Sequence, residues 1–199
     1  MSRTRSLRAL VVFAAGILLA LPVWADDVED SIKEGLELYK AGEYQEAVES
    51  LNYAVQLIQQ QKGRSLEKLL PEPLSGWEVE ETTSQAAGAA MFGGGVSAQR
   101  SYRKGDAYVT VLIAADSPLI QTMVAMFANP MIVSSDGGRL QRIQRQKAIV
   151  KYDEDDRSGS INIVVDRRFL VNVEGSDVSQ DELVAYARAI DYKALKGMP

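Results

Sequence analysis

Apolar residues recur with a helical period from Asp27 to Gln61. Val28, Ile32, Leu36 and Tyr39 lie four, four and three residues apart. After a break at Ala41-Gly42, the series Tyr44, Ala47, Val48, Leu51, Ala54, Val55 and Ile58 follows the 3.6-residue repeat. Gly42 stands where a helix ends on a residue of left-handed conformation. The pattern predicts a hairpin of two amphipathic helices over residues 26–62. A connector follows over 63–76, where Leu66, Leu69 and Leu70 suggest a helical turn ended by Pro71 and Pro73.

From residue 77 to the end the pattern changes to mostly period two. Trp77 and Val79 alternate with Glu78 and Glu80, as in a strand with one buried face. Val96 to Tyr102 and Ala107 to Ala115 flank a turn at Arg103-Lys104-Gly105-Asp106. Ser117-Pro118 opens a helix that runs to about Ala128, and Asn129-Pro130 ends it. Further strands are expected at 140–144, 147–152, 160–165 and 169–174. Ser179 begins a last helix, with Glu182 completing a capping box and Leu183, Tyr186, Ala187 and Ile190 on one face. Hairpin-linked strands with two isolated helices predict an α+β fold: the helical hairpin, then an antiparallel sheet with two helices packed on one face.

The stretch EGLELYKAGEYQEAVESLNYAV resembles a single tetratricopeptide repeat, with Gly35, Gly42, Tyr44, Ala47, Leu51 and Ala54 at matching positions. Ser31 replaces the usual tryptophan, and Gln59 stands where a closing proline is common. The resemblance implies that small residues let the helices approach closely and that Tyr44 fills the space beside the turn. One such repeat does not bury its own apolar face. The hairpin therefore needs its own domain, a second copy or a protein partner, and Tyr39, Tyr44 and Leu51 are its candidate contacts. In the remainder, the order of strands and helices is similar to the Mog1/PsbP-like α+β fold. The meander from Arg145 to Asp177 resembles segments of secreted bacterial proteins, with Arg145 at a turn position that would suit glycine.

The first residues read as an export signal. Arg3, Arg5 and Arg8 precede an apolar run from Leu10 to Val23, and Val23-Trp24-Ala25 offers a cleavage site over residues 1–25. The run is short for a membrane span of ~20 residues. Cleavage leaves 19 basic against 27 acidic residues, a net charge of −8, in a periplasmic setting. That balance argues against a nucleic-acid partner. The chain has no cysteine and no histidine. Thiolate chemistry, histidine general-base catalysis and the commonest transition-metal ligand are absent with them. The expectation is a protein without catalytic or cofactor-binding residues, acting through protein contacts in the cell envelope. The alternative is a carrier or sensor of an apolar ligand or lipid.

Four smaller features complete the pattern. The acidic run Asp153-Glu154-Asp155-Asp156 lacks the spacing of a calcium loop and is expected as a solvated turn. Met123, Met126 and Met131 are expected in the core rather than as copper ligands. Arg100, Arg103, Lys104, Arg139, Arg142, Arg145 and Lys147 are expected as scattered solvent-face cations. The uncharged stretch QAAGAAMFGGGVSAQ lacks the Lys-Ser/Thr of a phosphate loop. Its Met91, Phe92, Gly93, Gly94 and Gly95 make it a candidate interaction loop, long loops often being functional.

Overall fold

The computed structural model describes residues 24–85 and 95–198. The expected signal segment up to residue 23 lies outside them, as do Met91, Phe92, Gly93 and Gly94. Helix α1 (Trp24–Ala41) and helix α2 (Tyr44–Glu67) form the hairpin, and Gly42 between them takes a φ of 86°. No helix among the described residues is long and apolar enough to cross a membrane.

Seven strands follow: β1 (Glu78–Gln85), β2 (Val96–Lys104), β3 (Ala107–Ala115), β4 (Arg139–Ile143), β5 (Gln146–Asp153), β6 (Ser158–Val165) and β7 (Phe169–Ser176). They make one antiparallel sheet in the order β1-β2-β3-β7-β6-β5-β4. Two meanders thus join at the β3–β7 pair. The chain passes between them by α3 (Leu119–Ala128) and the short α4 (Pro130–Ser135). After β7 come α5 (Gln180–Ala189), with the capping box of Ser179 and Glu182 formed, and α6 (Tyr192–Lys196).

The α+β class expected from the pattern is what the structure has, and strand alternation decides where its helices lie. Val109, Val111, Ile113, Ile161, Ile163, Val171 and Val173 point to one face and are fully buried with Leu183, Tyr186 and Leu195. This is the helix-covered face that the sequence pattern predicts. It holds α5, α6 and the end of α2. The alternate residues Leu112, Ala114 and Leu170 point the other way, where Ile120, Met123 and Val124 of α3 cover them. The two isolated helices therefore lie on opposite faces, because the β3-to-β4 connection must cross the sheet. Val79, expected beside Trp77 on the buried face, is exposed, since β1 carries an irregularity between Val79 and Glu81.

The connector belongs to the core. Helix α2 runs past residue 62 to Glu67, because Leu66 and Leu70 find buried places against the sheet. Tyr102, fully buried on β2, donates its hydroxyl to the Pro71 carbonyl at 2.5 Å. Arg100 donates to the same carbonyl at 3.1 Å and to Thr82 Oγ1 at 2.9 Å. Its side chain is 15% exposed, so this arginine is a clamp on the connector and not the solvent-face cation expected. Burial pushes the Tyr102 hydroxyl well above the usual tyrosine range. Trp77 packs edge-on against Tyr186 at 5.4 Å, and Tyr102 lies 4.5 Å from the same ring.

Two outcomes follow from this packing. Leu66→Ala should lower unfolding free energy by about 2–5 kcal/mol, because a fully buried leucine leaves a cavity; chemical denaturation measures it. The second concerns Glu182. Its hydrogen bond from Lys104, then those from Ser179, hold its carboxyl below the ordinary value of 4.5, with burial opposing. A depressed folded pKa gives stability that is present above the unfolded value and lost as pH falls through the folded one. The denaturation midpoint should therefore decline as pH drops below 4.5, and Glu182→Gln should flatten that decline.

Candidate functional site: the outer face of the helical hairpin

Small residues make the contact between α1 and α2. Ser31, Ala47 and Ala54 are buried, and Ser50 is half-buried. A Cβ on Gly35 would lie 2.7 Å from Leu51 Cγ, so only glycine permits this approach. Ser50 Oγ donates to the Ser31 carbonyl at 2.8 Å, and Glu34 Oε2 stands at the same distance. Because small side chains occupy most of the contact, with Leu57 buried beside them, most of the large ones point outward. Ile32, Leu36 and Tyr39 of α1 are exposed, and so are Tyr44, Val48, Leu51, Val55 and Ile58 of α2.

The two stripes share one face. On each helix, at about 100° per residue, the stripe lies to the same side of the buried positions, and antiparallel helices then present both stripes together. Two contacts join them: Leu51 touches Gly35, and the Tyr39 and Tyr44 rings lie 5.7 Å apart. The three expected contact residues, Tyr39, Tyr44 and Leu51, are thus brought together, 61%, 64% and 42% exposed. Tyr44 lies tilted beside the Tyr39 ring next to the turn and stays open to solvent. The pattern on α2 is stricter than a helical period. Positions 44, 48, 51, 55 and 58 alternate spacings of four and three, the seam of a coiled coil.

Charge around the face is balanced. Lys33 lies 3.4 Å from Asp30 and 3.5 Å from Glu29. The Asp30 hydrogen bond is the main cause that raises the Lys33 pKa. Beside the α2 stripe stand Gln45, Asn52 and Gln59, while Glu46 and Glu49 fall further round the helix.

A second concavity lies on the sheet under α3. Its volume is about 350 Å³; Leu112, Leu119, Met123 and Leu170 give it an apolar wall. Gln99, Thr110, Asn162, Asn172 and Glu174 give it a polar floor, in which Asn172 Nδ2 donates to Asn162 Oδ1 at 3.1 Å and to Glu174 Oε1 at 3.2 Å.

The remaining candidates separate. Of the interaction loop only Gly95 lies within the described residues. Its φ is 95°, and a Cβ there would fall 2.3 Å from the Ala115 carbonyl oxygen, so the turn into β2 itself requires glycine. Asp153 Oδ1 accepts from the Asp155 and Asp156 amides at 2.9 and 3.1 Å, which makes the acidic run a self-capped turn. Among the described residues no group of three metal-ligating side chains converges. Met123 packs in the second core and Met131 is exposed. Arg103 pairs with Glu80 at 2.5 Å, and Lys104 pairs with Glu182 at 2.6 Å while lying 5.3 Å from the Trp77 ring. The basic residues of β2 therefore serve carboxylates of this chain. Gln144 and Arg145 both take positive φ in the two-residue turn between β4 and β5.

No protein-family model, curated protein or solved structure matches this chain.

The self-capped turn carries its own test. Asp153→Ala should destabilise the protein by about 0.5–2 kcal/mol, the usual scale of a lost side-chain cap. Addition of calcium should leave the melting temperature of the parent protein unchanged, as thermal denaturation with and without the ion will show.

Proposed function

We propose that this is a non-catalytic periplasmic protein that works by protein–protein contact in the cell envelope, with the outer face of the hairpin as its contact surface. The observation that carries the reading is the row of eight large apolar side chains, Ile32 to Ile58, open to solvent on two adjacent helices. Contiguous apolar patches of this kind mark interaction sites. The likeness to a single tetratricopeptide repeat supports it, since such a unit relies on a neighbour to cover this side. The amino-terminal basic and apolar run supports export. The lack of histidine and cysteine supports a role without catalysis.

A second reading, a carrier of an apolar ligand, draws on the concavity under α3. Its floor of two asparagines, a glutamine, a threonine and a glutamate suits a lipid chain poorly, because each buried polar group would lose its water. The hairpin reading is therefore preferred.

Site-specific photo-cross-linking in living cells tests it. A cross-linking side chain at Tyr44 or Val48 should give a discrete adduct, and one at Glu46 or Glu49 should give none. Equal labelling at all four positions, or no adduct at Tyr44 and Val48, would overturn the proposal.

A further inference from the structure

We infer that the partner covering the hairpin face is a second copy of this chain, the two hairpins packing across a two-fold axis as a four-helix arrangement. The inference rests on the contact-surface reading above and names its occupant. Four features of the face select it.

The first is extent. From their fractional exposures, the eight apolar residues present on the order of 800 Å² of accessible surface. Covering most of it would approach the ~800 Å² that each partner contributes to a stable protein–protein interface. The second is spacing. The stripe of α2 runs Tyr44, Val48, Leu51, Val55, Ile58, and it reads nearly the same in both directions about Leu51. In an isologous interface residue i of one copy meets residue j of the other and the reverse, so each contact is made twice, and a stripe of this near-symmetric spacing suits that pairing. A four-and-three repeat is also the one that keeps facing a partner helix along its length, here about 21 Å.

Charge is the third feature. This protein is acidic, and α1 and α2 carry most of their carboxylates where they would repel a second copy if they rimmed the seam. Few of them rim it. Gln45, Asn52 and Gln59 flank the α2 stripe; beside the α1 stripe Glu29 is paired with Lys33, and Lys40 lies along the same flank. Glu46, Glu49 and Glu34 point elsewhere, which keeps most of the hairpin's carboxylates away from a second copy. A cationic partner would find no row of carboxylates beside the seam. The fourth feature is where the stripe ends. Beyond Ile58 the next position of the seam is Lys62, which pairs with Asp116 beside the sheet, and one turn further Leu66 is buried in the core. The apolar stripe thus stops where α2 meets the sheet, and among the described residues nothing covers its open part.

Sedimentation equilibrium or light scattering on the protein recovered after export decides the matter. The parent protein should have twice the chain mass across micromolar concentrations. Val48→Glu and Val55→Glu should each reduce it to the single chain mass, with the circular dichroism spectrum of the folded chain retained, since both side chains already face solvent. Glu46→Lys and Glu49→Lys, placed away from the seam, should leave the dimer intact. Asn52→Glu should weaken the dimer at least tenfold at low salt and less at high salt, a screening effect that loss of structure would not produce. A single-chain mass for the parent protein, or a dimer that Val48→Glu leaves whole, would overturn the inference. If the parent is monomeric while Val48 still cross-links to a different protein in cells, the contact-surface reading stands and only the identity of the partner falls. If neither dimer nor adduct forms at Val48, both fail.

Discussion

The close approach of two helices through small side chains governs what the rest of this molecule does. Gly35, Ser31, Ala47 and Ala54 allow α1 and α2 to lie tightly together, with Leu51 against the bare Cα of Gly35. A contact built from small residues hides little apolar surface, roughly 25 cal/mol for each Å² removed from water. It also leaves most of the long side chains outside the contact, Leu57 being a buried exception. The exposed row from Ile32 to Ile58 is therefore a direct product of how the hairpin closes, and not an accident of composition.

Helix α2 links that hairpin to everything else. Its first half packs on α1, and its second half seats Leu66 in the core of the sheet. The join is reinforced where Lys62 meets Asp116 at 2.6 Å, and Arg168 reaches the same carboxylate at 3.2 Å. Burial pushes the Asp116 carboxyl up, but the hydrogen bonds and charges of Lys62 and Arg168 outweigh it and hold the pKa below its ordinary value. On the far side of the connector, Arg100 and Tyr102 hold the Pro71 carbonyl. The hairpin is thus tied to the sheet on both sides of the connector, and Tyr39 and Tyr44 lie at the end of the hairpin away from these ties.

The sheet itself has a divided character. One face is filled by α5, α6 and the end of α2, and its residues are buried throughout. The other is covered only in part by α3 and α4, and around Thr110, Asn162 and Asn172 it stays polar. Amides paired across neighbouring strands satisfy one another there, so this face needs no covering helix to be stable. The large exposed apolar residues of the hairpin form the more continuous apolar surface.

Periodicity alone was enough to place most elements. The spacing of Tyr44 to Ile58, the cap at Ser179 and the alternation through Ile161 to Val165 are local signals, since each is set by the backbone geometry of a few neighbouring residues. Charge and the absence of histidine and cysteine likewise belong to the chain before it folds. Three matters were decided only by tertiary contact. Arg100 became a clamp because β2 passes beneath the connector, a proximity between residues 29 apart. The isolated helices divided between two faces because β3 pairs with β7 and the chain must cross to reach β4. An amphipathic pattern also cannot say which apolar residues find a partner within their own chain. Val48 and Ala47 are both apolar and adjacent in sequence, yet one is exposed and the other buried. The difference lies in which side of α2 meets α1, and that is a property of the pair of helices, not of either one.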